Sequence, residues 1–554
     1  MRKTVSVIIF VLFFLIYIVP LNVRPMIIPD ETRYAEIGRE IVKTDNWIVP
    51  RLDGLRYFEK PILGHWLNAL SIKLIGENAF AIRLPSALSV GLTAFILFFF
   101  VRRFTGSLPA GAIAASVFLS CFEIFAVGTF CVLDSIFSMF VTASMAAFFV
   151  AFMETDSQKR TIFLVSTGIA CGLAFLTKGF LAFVIPAIVF VPFVLWQNQL
   201  TKLLHTFWLP LMIAVLTVLP WSIMIHLKEP DFWHYFFWIE HIDRFISPSE
   251  GQHPYPLWFF IPVILGGTMP WTIQLGEAII KLHKNLINNP LLRFSICWFL
   301  FPFLFFSMCR GKLVTYILPC FPPLIVLFTV GLHQEWNSLK APRPNYFNRV
   351  GIIFILVLMI GLVLTQTVIP VTKIYRPHEI WKWLFILAGL LVYAVFLILA
   401  DISTNQVRKS FISCAAPVMI LFSAPFVIPN HLIETKAPID FLNQFKDKIH
   451  QNTILVSDNY LTPAVCWSYR RSNVFLLNNP GEFAYGIDYD DSTKQRLLNV
   501  DQLRELITKN PDKKPTVLIT STKRYIEYNQ QLPKPVFESN DCGFVFAEFA
   551  AGDS

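Results

Sequence analysis

Two short strings near the start of the chain carry the residues best suited to chemistry. The first is Pro29-Asp30-Glu31-Thr32-Arg33-Tyr34-Ala35-Glu36-Ile37, and the second is Tyr57-Phe58-Glu59-Lys60-Pro61, followed by His65 and Trp66. A carboxylate can accept a proton or orient an attacking group. Arginine and lysine can stabilise negative charge as it develops on a leaving group. Three further strings hold the same residue types: Thr129-Phe130-Cys131-Val132-Leu133-Asp134, the run Glu240-His241-Ile242-Asp243-Arg244-Phe245 with His253, and Lys312-Leu313-Val314-Thr315-Tyr316, and Lys178 stands by itself at another outer turn. Glu59 with His241 would offer two ligands to a divalent metal. Read as local structure alone, Asp30 is a helix N-cap and Glu31 a partner of the helix dipole.

The elements that must position these residues are set by composition. Of 554 residues, 55% are hydrophobic and only 15% charged. Soluble domains carry about 25% charged residues, so this chain lacks the polar side chains to cover a large water-facing surface. Its 55 Phe and 14 Trp suit lipid-facing helices and interfacial belts. The apolar run 5–21 behind Arg2-Lys3 has no small-residue cleavage site and is expected to be a retained signal anchor. Further runs at 79–101, 108–126, 130–152, 161–177, 179–197, 206–226, 256–274, 291–308, 313–333, 348–370, 381–400 and 409–429 bring the expectation to about thirteen transmembrane helices.

Basic residues orient them. Arg102-Arg103, Lys159-Arg160, Lys281 with Lys284, Lys340 with Arg343 and Arg349, and Arg408-Lys409 alternate onto the side of Arg2-Lys3, which the positive-inside rule makes the cytoplasm. The C-terminus then falls outside. So do 23–78, 227–255 and 309–312, whose cations oppose the usual bias and imply an anionic partner. The net charge of +9 follows from these two sets of cations rather than from nucleic-acid binding. Nine cysteines without CxxC spacing indicate neither a zinc knuckle nor a thioredoxin-like motif.

The first loop is expected to hold two interfacial helices. In the first, Tyr34, Ile37 and Ile41 share one face, giving an amphipathic helix at the membrane surface. Residues 1–430 then form a transmembrane domain and 431–554 a small α/β domain, with strands at 453–457, 473–477 and 516–520 and a helix at 500–509. Ionisable residues cluster at the outer ends of spans and in loops. Transporters instead carry them at mid-span in paired repeats. If the substrates are lipid-linked phosphates, glycosyl transfer would release a phosphate dianion beside the Arg and Lys groups, and Asp30 would assist the attacking side.

These strings resemble the bacterial 4-amino-4-deoxy-L-arabinose transferases of the GT-C superfamily (glycosyltransferase family 83). The likeness rests on Pro29–Glu36, on Leu55-Arg56-Tyr57-Phe58-Glu59-Lys60-Pro61, on Glu240–Phe245 and on Lys312–Pro319. It implies a polytopic α-helical GT-C fold with a periplasmic C-terminal domain, in the bacterial inner membrane. It implies a donor of undecaprenyl phosphate carrying aminoarabinose and an acceptor phosphate on lipid A, a modification that weakens polymyxin binding. By the family pattern Asp30 is the catalytic carboxylate, Lys60, Arg244 and Tyr316 hold the donor phosphate, and Glu31 and Asp134 belong to the acidic layer of the active site. Glu59 with His241 or His253 matches a metal position, with zinc as the implied ion. A monomer is expected. The competing readings are a related transferase acting on a protein hydroxyl, and a lipid transporter.

Overall fold

Long charge-poor apolar runs and short alternating ones fold here into two different compact units. The structure is a computed structural model and describes residues 9–243, 255–282, 288–336, 346–368, 373–509 and 514–550. The helical unit comprises Met1–Val23, Ser86–Ser222 and His241–Pro429, and the α/β unit Arg24–Pro85, Ile223–Glu240 and Asn430–Ser554.

Among the described residues nine helices are long and apolar enough to cross a membrane, from Ala79–Thr105 to Gln406–Val427. A tenth span, if counted as one, is the pair Leu108–Ser120 and Phe122–Gly128, bent by 67°. The expected continuous span 108–126 is therefore broken at Cys121. The expected span 256–274 is also interrupted: Leu257–Gly267 is a short apolar helix, and a separate helix runs over Thr272–Leu282. Helices suit such sequences because each satisfies its backbone hydrogen bonds internally. Close packing between them uses small residues. A Cβ added at Gly168 would lie 2.5 Å from the Pro210 carbonyl oxygen, and one at Gly172 would lie 2.6 Å from Thr217 Cβ. This glycine pair, four residues apart on Ser157–Lys178, lets the Leu200–Lys228 backbone approach.

In the α/β unit the first loop forms helices α1 (Asp30–Thr44) and α2 (Leu63–Ile75) around a hairpin of β1 (Arg51–Leu52) and β2 (Leu55–Arg56). The hairpin turn is Asp53-Gly54, both at positive φ (55° and 72°), the signature of a two-residue turn that matches strand twist. The remaining strands, β3 (Ile454–Ser457), β4 (Phe475–Leu477), β5 (Leu497–Leu498), β6 (Thr516–Ser521), β7 (Phe537–Asp541) and β8 (Phe544–Phe549), form one sheet in the order β5-β4-β3-β6-β8-β7. The β5–β6 half is parallel, and β8 and β7 extend it antiparallel. Alternation along each strand fills both faces. Leu455, Val517, Ile519 and Phe546 enter one core, and Val456, Leu518, Val545 and Ala547 the other.

α1 differs from the expected surface helix. Every residue from Glu31 to Ile41 is buried, so its polar side is packed on protein rather than open to water. Arg39 pairs with Glu36 at 2.5 Å and donates to the Arg471 carbonyl, and Glu40 accepts from the Gly54 N–H. The hairpin is fixed the same way. Fully buried Asp53 accepts from the Val474 N–H and the Cys466 thiol and is paired with Arg496. Burial pushes the Asp53 carboxyl up to about 7, against the opposing pull of Arg496. Replacing Asp53 by Ala leaves Arg496 without its carboxylate, at a cost of about 3–5 kcal/mol. Thermal unfolding of the purified chain in detergent should show a correspondingly lower midpoint.

Candidate functional site

The α1 N-terminus separates the two adjacent carboxylates. The helix starts at Asp30 itself, with Pro29 in the N-cap position, so Asp30 does not serve as the N-cap. Glu31 has no exposed surface. Its carboxylate accepts from Arg83 Nε at 2.7 Å, from Arg24 Nη1 at 2.7 Å and from the Ile27 N–H at 3.0 Å. Arg83 is itself fully buried and also donates to the Arg24 and Pro25 carbonyls. Burial alone would raise the Glu31 carboxyl, yet the Arg83 and Arg24 guanidiniums bring it down to about 2. Glu31 is thus a permanently ionised strut that ties the segment before α1 to the start of the Ala79–Thr105 helix.

Asp30 has the opposite environment. Its side chain is 43% exposed and is paired with Arg33, which also pairs with Glu482 and stacks over the Tyr34 ring at 4.8 Å. Of the two acids, only Asp30 presents a carboxylate that a substrate can reach. Behind it, the fully buried His65 lies against the Tyr34 and Tyr57 rings, with neither ring nitrogen hydrogen-bonded among the described residues. Burial, joined by the nearby Arg33 and Lys60 charges, holds its pKa down at about 3, so the imidazole is neutral.

The second string supplies cations on the same unit. Lys60 pairs with Glu240 at 2.7 Å and donates to the Glu59 carbonyl, and Arg56 pairs with Glu229 at 2.6 Å. The helical unit holds a separate group. Lys178 Nζ lies 2.7 Å from Asp134 Oδ1 and 4.6 Å from the centre of the Tyr316 ring. Lys312, buried, donates to the Tyr255 and Cys309 carbonyls.

Arg244 and His253 lie outside the described residues, as does the side chain of His241. Zinc takes four ligands as a rule. Among the described residues no three His, Cys, Asp or Glu side chains gather to supply them. Two charged residues were passed over in the sequence, Arg83 and Glu123. Each is a charge set within or at the head of an apolar run, which is the signal that marks a needed partner or a function.

The division of labour between the two acids is testable through folding alone. Glu31→Ala would strand two guanidiniums and destabilise the protein by about 3–5 kcal/mol. Asp30→Asn, at an exposed position, should leave the thermal midpoint within about 1 kcal/mol of wild type. Detergent-solubilised midpoints of the two variants measure the contrast.

Comparison with known proteins gives the family. Residues 3–236 match the family model described as dolichyl-phosphate-mannose-protein mannosyltransferase, and residues 433–548 that described as arabinosyl transferase ArnT, C-terminal domain. The undecaprenyl phosphate-alpha-4-amino-4-deoxy-L-arabinose arabinosyl transferase of Shewanella sediminis is 38% identical over 542 residues, covering 96% of both chains. A Proteus mirabilis protein of the same description is 37% identical over 538 residues, again covering 96% of both. The crystal structure of ArnT from Cupriavidus metallidurans bound to undecaprenyl phosphate superposes with a TM-score of 0.84 at 21% identity, covering 99% of both chains, and so shares the fold. With this identity sustained from the first loop through the C-terminal sheet, the chain belongs to the undecaprenyl phosphate-aminoarabinose arabinosyl transferases, membrane glycosyltransferases that use a lipid-linked sugar donor.

Proposed function

We propose that this protein transfers 4-amino-4-deoxy-L-arabinose from undecaprenyl phosphate to phosphate groups of lipid A at the periplasmic face of the bacterial inner membrane. The observation that carries the mechanism is the contrast at the head of α1. Glu31 is locked by two arginines, and Asp30 is left reachable. A phosphate oxygen of lipid A attacks the anomeric carbon of the sugar. Asp30 takes the proton of that phosphate or orients it. The new carbon–oxygen bond forms as the bond to the donor phosphate breaks, and the electron pair leaves with undecaprenyl phosphate. Lys60 is the cation on the α/β unit suited to receive that charge, and exchange of its Glu240 partner for phosphate would release the carboxylate. The family likeness adds Arg244 and Tyr316 to the same role, and Glu59 with His241 or His253 as contacts for a divalent metal such as zinc.

Thirteen membrane crossings fit this reading. The nine long helices and the bent pair are joined by three shorter apolar helices, Ile9–Asn22, Leu181–Trp196 and Leu257–Gly267. Addition of a cationic sugar lowers the negative charge of lipid A, which would protect the cell from polymyxin and other cationic peptides. The match of residues 3–236 to protein mannosyltransferases supports a second reading, with a protein hydroxyl as acceptor. Mass spectrometry of lipid A from cells with and without the gene separates them: the first reading requires an added aminoarabinose mass, and its absence would favour the second.

Asp30→Asn should reduce transfer by at least about a hundredfold in membranes carrying wild-type amounts of protein. Near-normal transfer by that variant would remove Asp30 from the reaction. For Lys60→Ala the expected signature is a loss concentrated in donor use, about tenfold or more in kcat/KM for the donor. An unchanged response to donor concentration would count against the phosphate role.

A further inference from the structure

Within the α/β unit, the carboxyl edge of the C-terminal sheet borders the reactive acid of the first loop. From β3 the chain steps outward to β4 and β5, then returns to β6 on the other flank of β3. The connections that follow β3 and β6 consequently leave to opposite faces. β3 leads into the helix Thr462–Tyr469, whose Ala464 and Val465 pack with Leu455 and Val517. β6 leads into Thr522–Tyr528, whose Tyr525 packs with Val456 and Leu518. Between such diverging connections an open parallel sheet leaves a crevice, the usual seat of a ligand. Asp458 joins its two walls. Its carboxylate accepts from the Tyr460 and Leu461 N–H groups after β3, and from the Thr520 hydroxyl and the Ser521 N–H at the end of β6. Arg524 Nη1 lies 3.2 Å from Asp458 Oδ1 and donates to Asn459 Oδ1 at 3.2 Å. The same guanidinium stands 5.3 Å from the centre of the Tyr460 ring. Tyr460 is 53% exposed. Gly481, at a positive φ of 52°, approaches so closely that a Cβ there would stand 2.2 Å from Asn459 Nδ2. The next residue, Glu482, pairs with Arg33, and Arg33 pairs with Asp30.

With four N–H and O–H donors on its carboxylate, Asp458 is a brace rather than a ligand contact. What the crevice offers a ligand is an exposed phenol ring, an anchored guanidinium and an amide. The Asp458 carboxylate offsets the Arg524 charge, so the set favours a neutral polar ring over a bare anion. A sugar fits it: the apolar C–H face of the ring lies on the aromatic face, and rigid N–H donors take the hydroxyl and amide oxygens at its edge. We propose that this crevice is the sugar subsite for the acceptor, an inference that rests on the lipid A reading above. Tyr460 stacks on a glucosamine ring of lipid A. Arg524, held through Nη1, gives Nε and Nη2 to the ring's oxygens, and Asn459 adds its amide. Holding the ring beside the Arg33–Glu482 pair sets the phosphate it carries against Asp30, which turns a chance encounter into an oriented attack.

The test uses the full-length protein in detergent and two readouts. Calorimetry measures binding of lipid A stripped of its acyl chains, a phosphorylated glucosamine disaccharide. Transfer kinetics give the KM for intact lipid A and, separately, for the polyprenyl donor. Tyr460→Ala should weaken disaccharide binding and raise the lipid A KM by about tenfold, with the donor KM and the thermal midpoint unmoved. Tyr460→Phe, which keeps the ring, should restore both values. Arg524→Ala should weaken both by about 10- to 100-fold. Wild-type affinity for the disaccharide in Tyr460→Ala or Arg524→Ala overturns the proposal. So does complete displacement of the disaccharide by inorganic phosphate, which would mean recognition of charge alone. A wild type that binds the disaccharide through Tyr460 and Arg524, yet adds no aminoarabinose to lipid A, would uphold the subsite and sink the transfer reading instead.

Discussion

A carboxylate with no exposed surface stays ionised in a protein only where fixed cations stand against it, and the cost of burying the group makes those cations indispensable. Glu31 meets that condition through Arg24 and Arg83, which reach it from seven residues earlier and fifty-two residues later in the chain. The same carboxylate accepts the Ile27 N–H. The direction in which the backbone enters α1 is therefore set before the helix begins. Much else depends on this one interaction. It fixes the turn on which Asp30 stands, and it closes the ends of the first loop on each other. It also consumes the charge of an arginine that would otherwise be stranded in the first turns of an apolar helix.

The rest of the α/β unit extends this logic of paired burial. Asp53 at the hairpin turn, Glu36 and Glu40 on α1 and Glu229 beyond the loop each meet an arginine or a backbone N–H. The segments that connect the strands of the C-terminal sheet supply several of these partners, including Arg496, Arg471 and Glu482. This gives those segments a physical task that their sequence did not disclose. They are the surface on which the first loop is assembled. A loop so firmly paired has little freedom, and rigid support for a reactive side chain is what keeps a catalytic geometry within tolerance.

The elements of both units were largely legible in the sequence. Apolar runs gave the long helices, because length and charge-free composition suffice for a membrane span. Alternation at 453–457, 473–477 and 516–520 gave strands that the structure places at Ile454–Ser457, Phe475–Leu477 and Thr516–Ser521. Three strands were harder to see. Leu497–Leu498 is only two residues long, and Phe537–Asp541 with Phe544–Phe549 form an antiparallel extension of a sheet that reads as parallel up to that point. The helix break at Cys121 was also hidden, since the apolar run continues through it without a proline, and its one nearby charge, Glu123, follows the bend rather than marking it. The periodicity of α1 pointed to a water-facing side, and packing against the unit's other segments overrode it.

By itself the sequence determined that this chain spans a membrane, that its first loop concentrates acids and bases, and that an α/β domain follows the last span. Those properties are local: they depend on composition and on periods of two and three to four residues. Which member of the Asp30-Glu31 pair can react was decided only by tertiary structure, for the two share the same neighbours in sequence and differ in what folds against them. The partner that sets Glu31 apart, Arg83, and those of Arg33, Lys60 and Asp134, namely Glu482, Glu240 and Lys178, lie tens to hundreds of residues away. Charge pairing at that separation leaves no mark in local pattern. It exists only once the fold has brought the groups together and excluded the water that would otherwise have screened them.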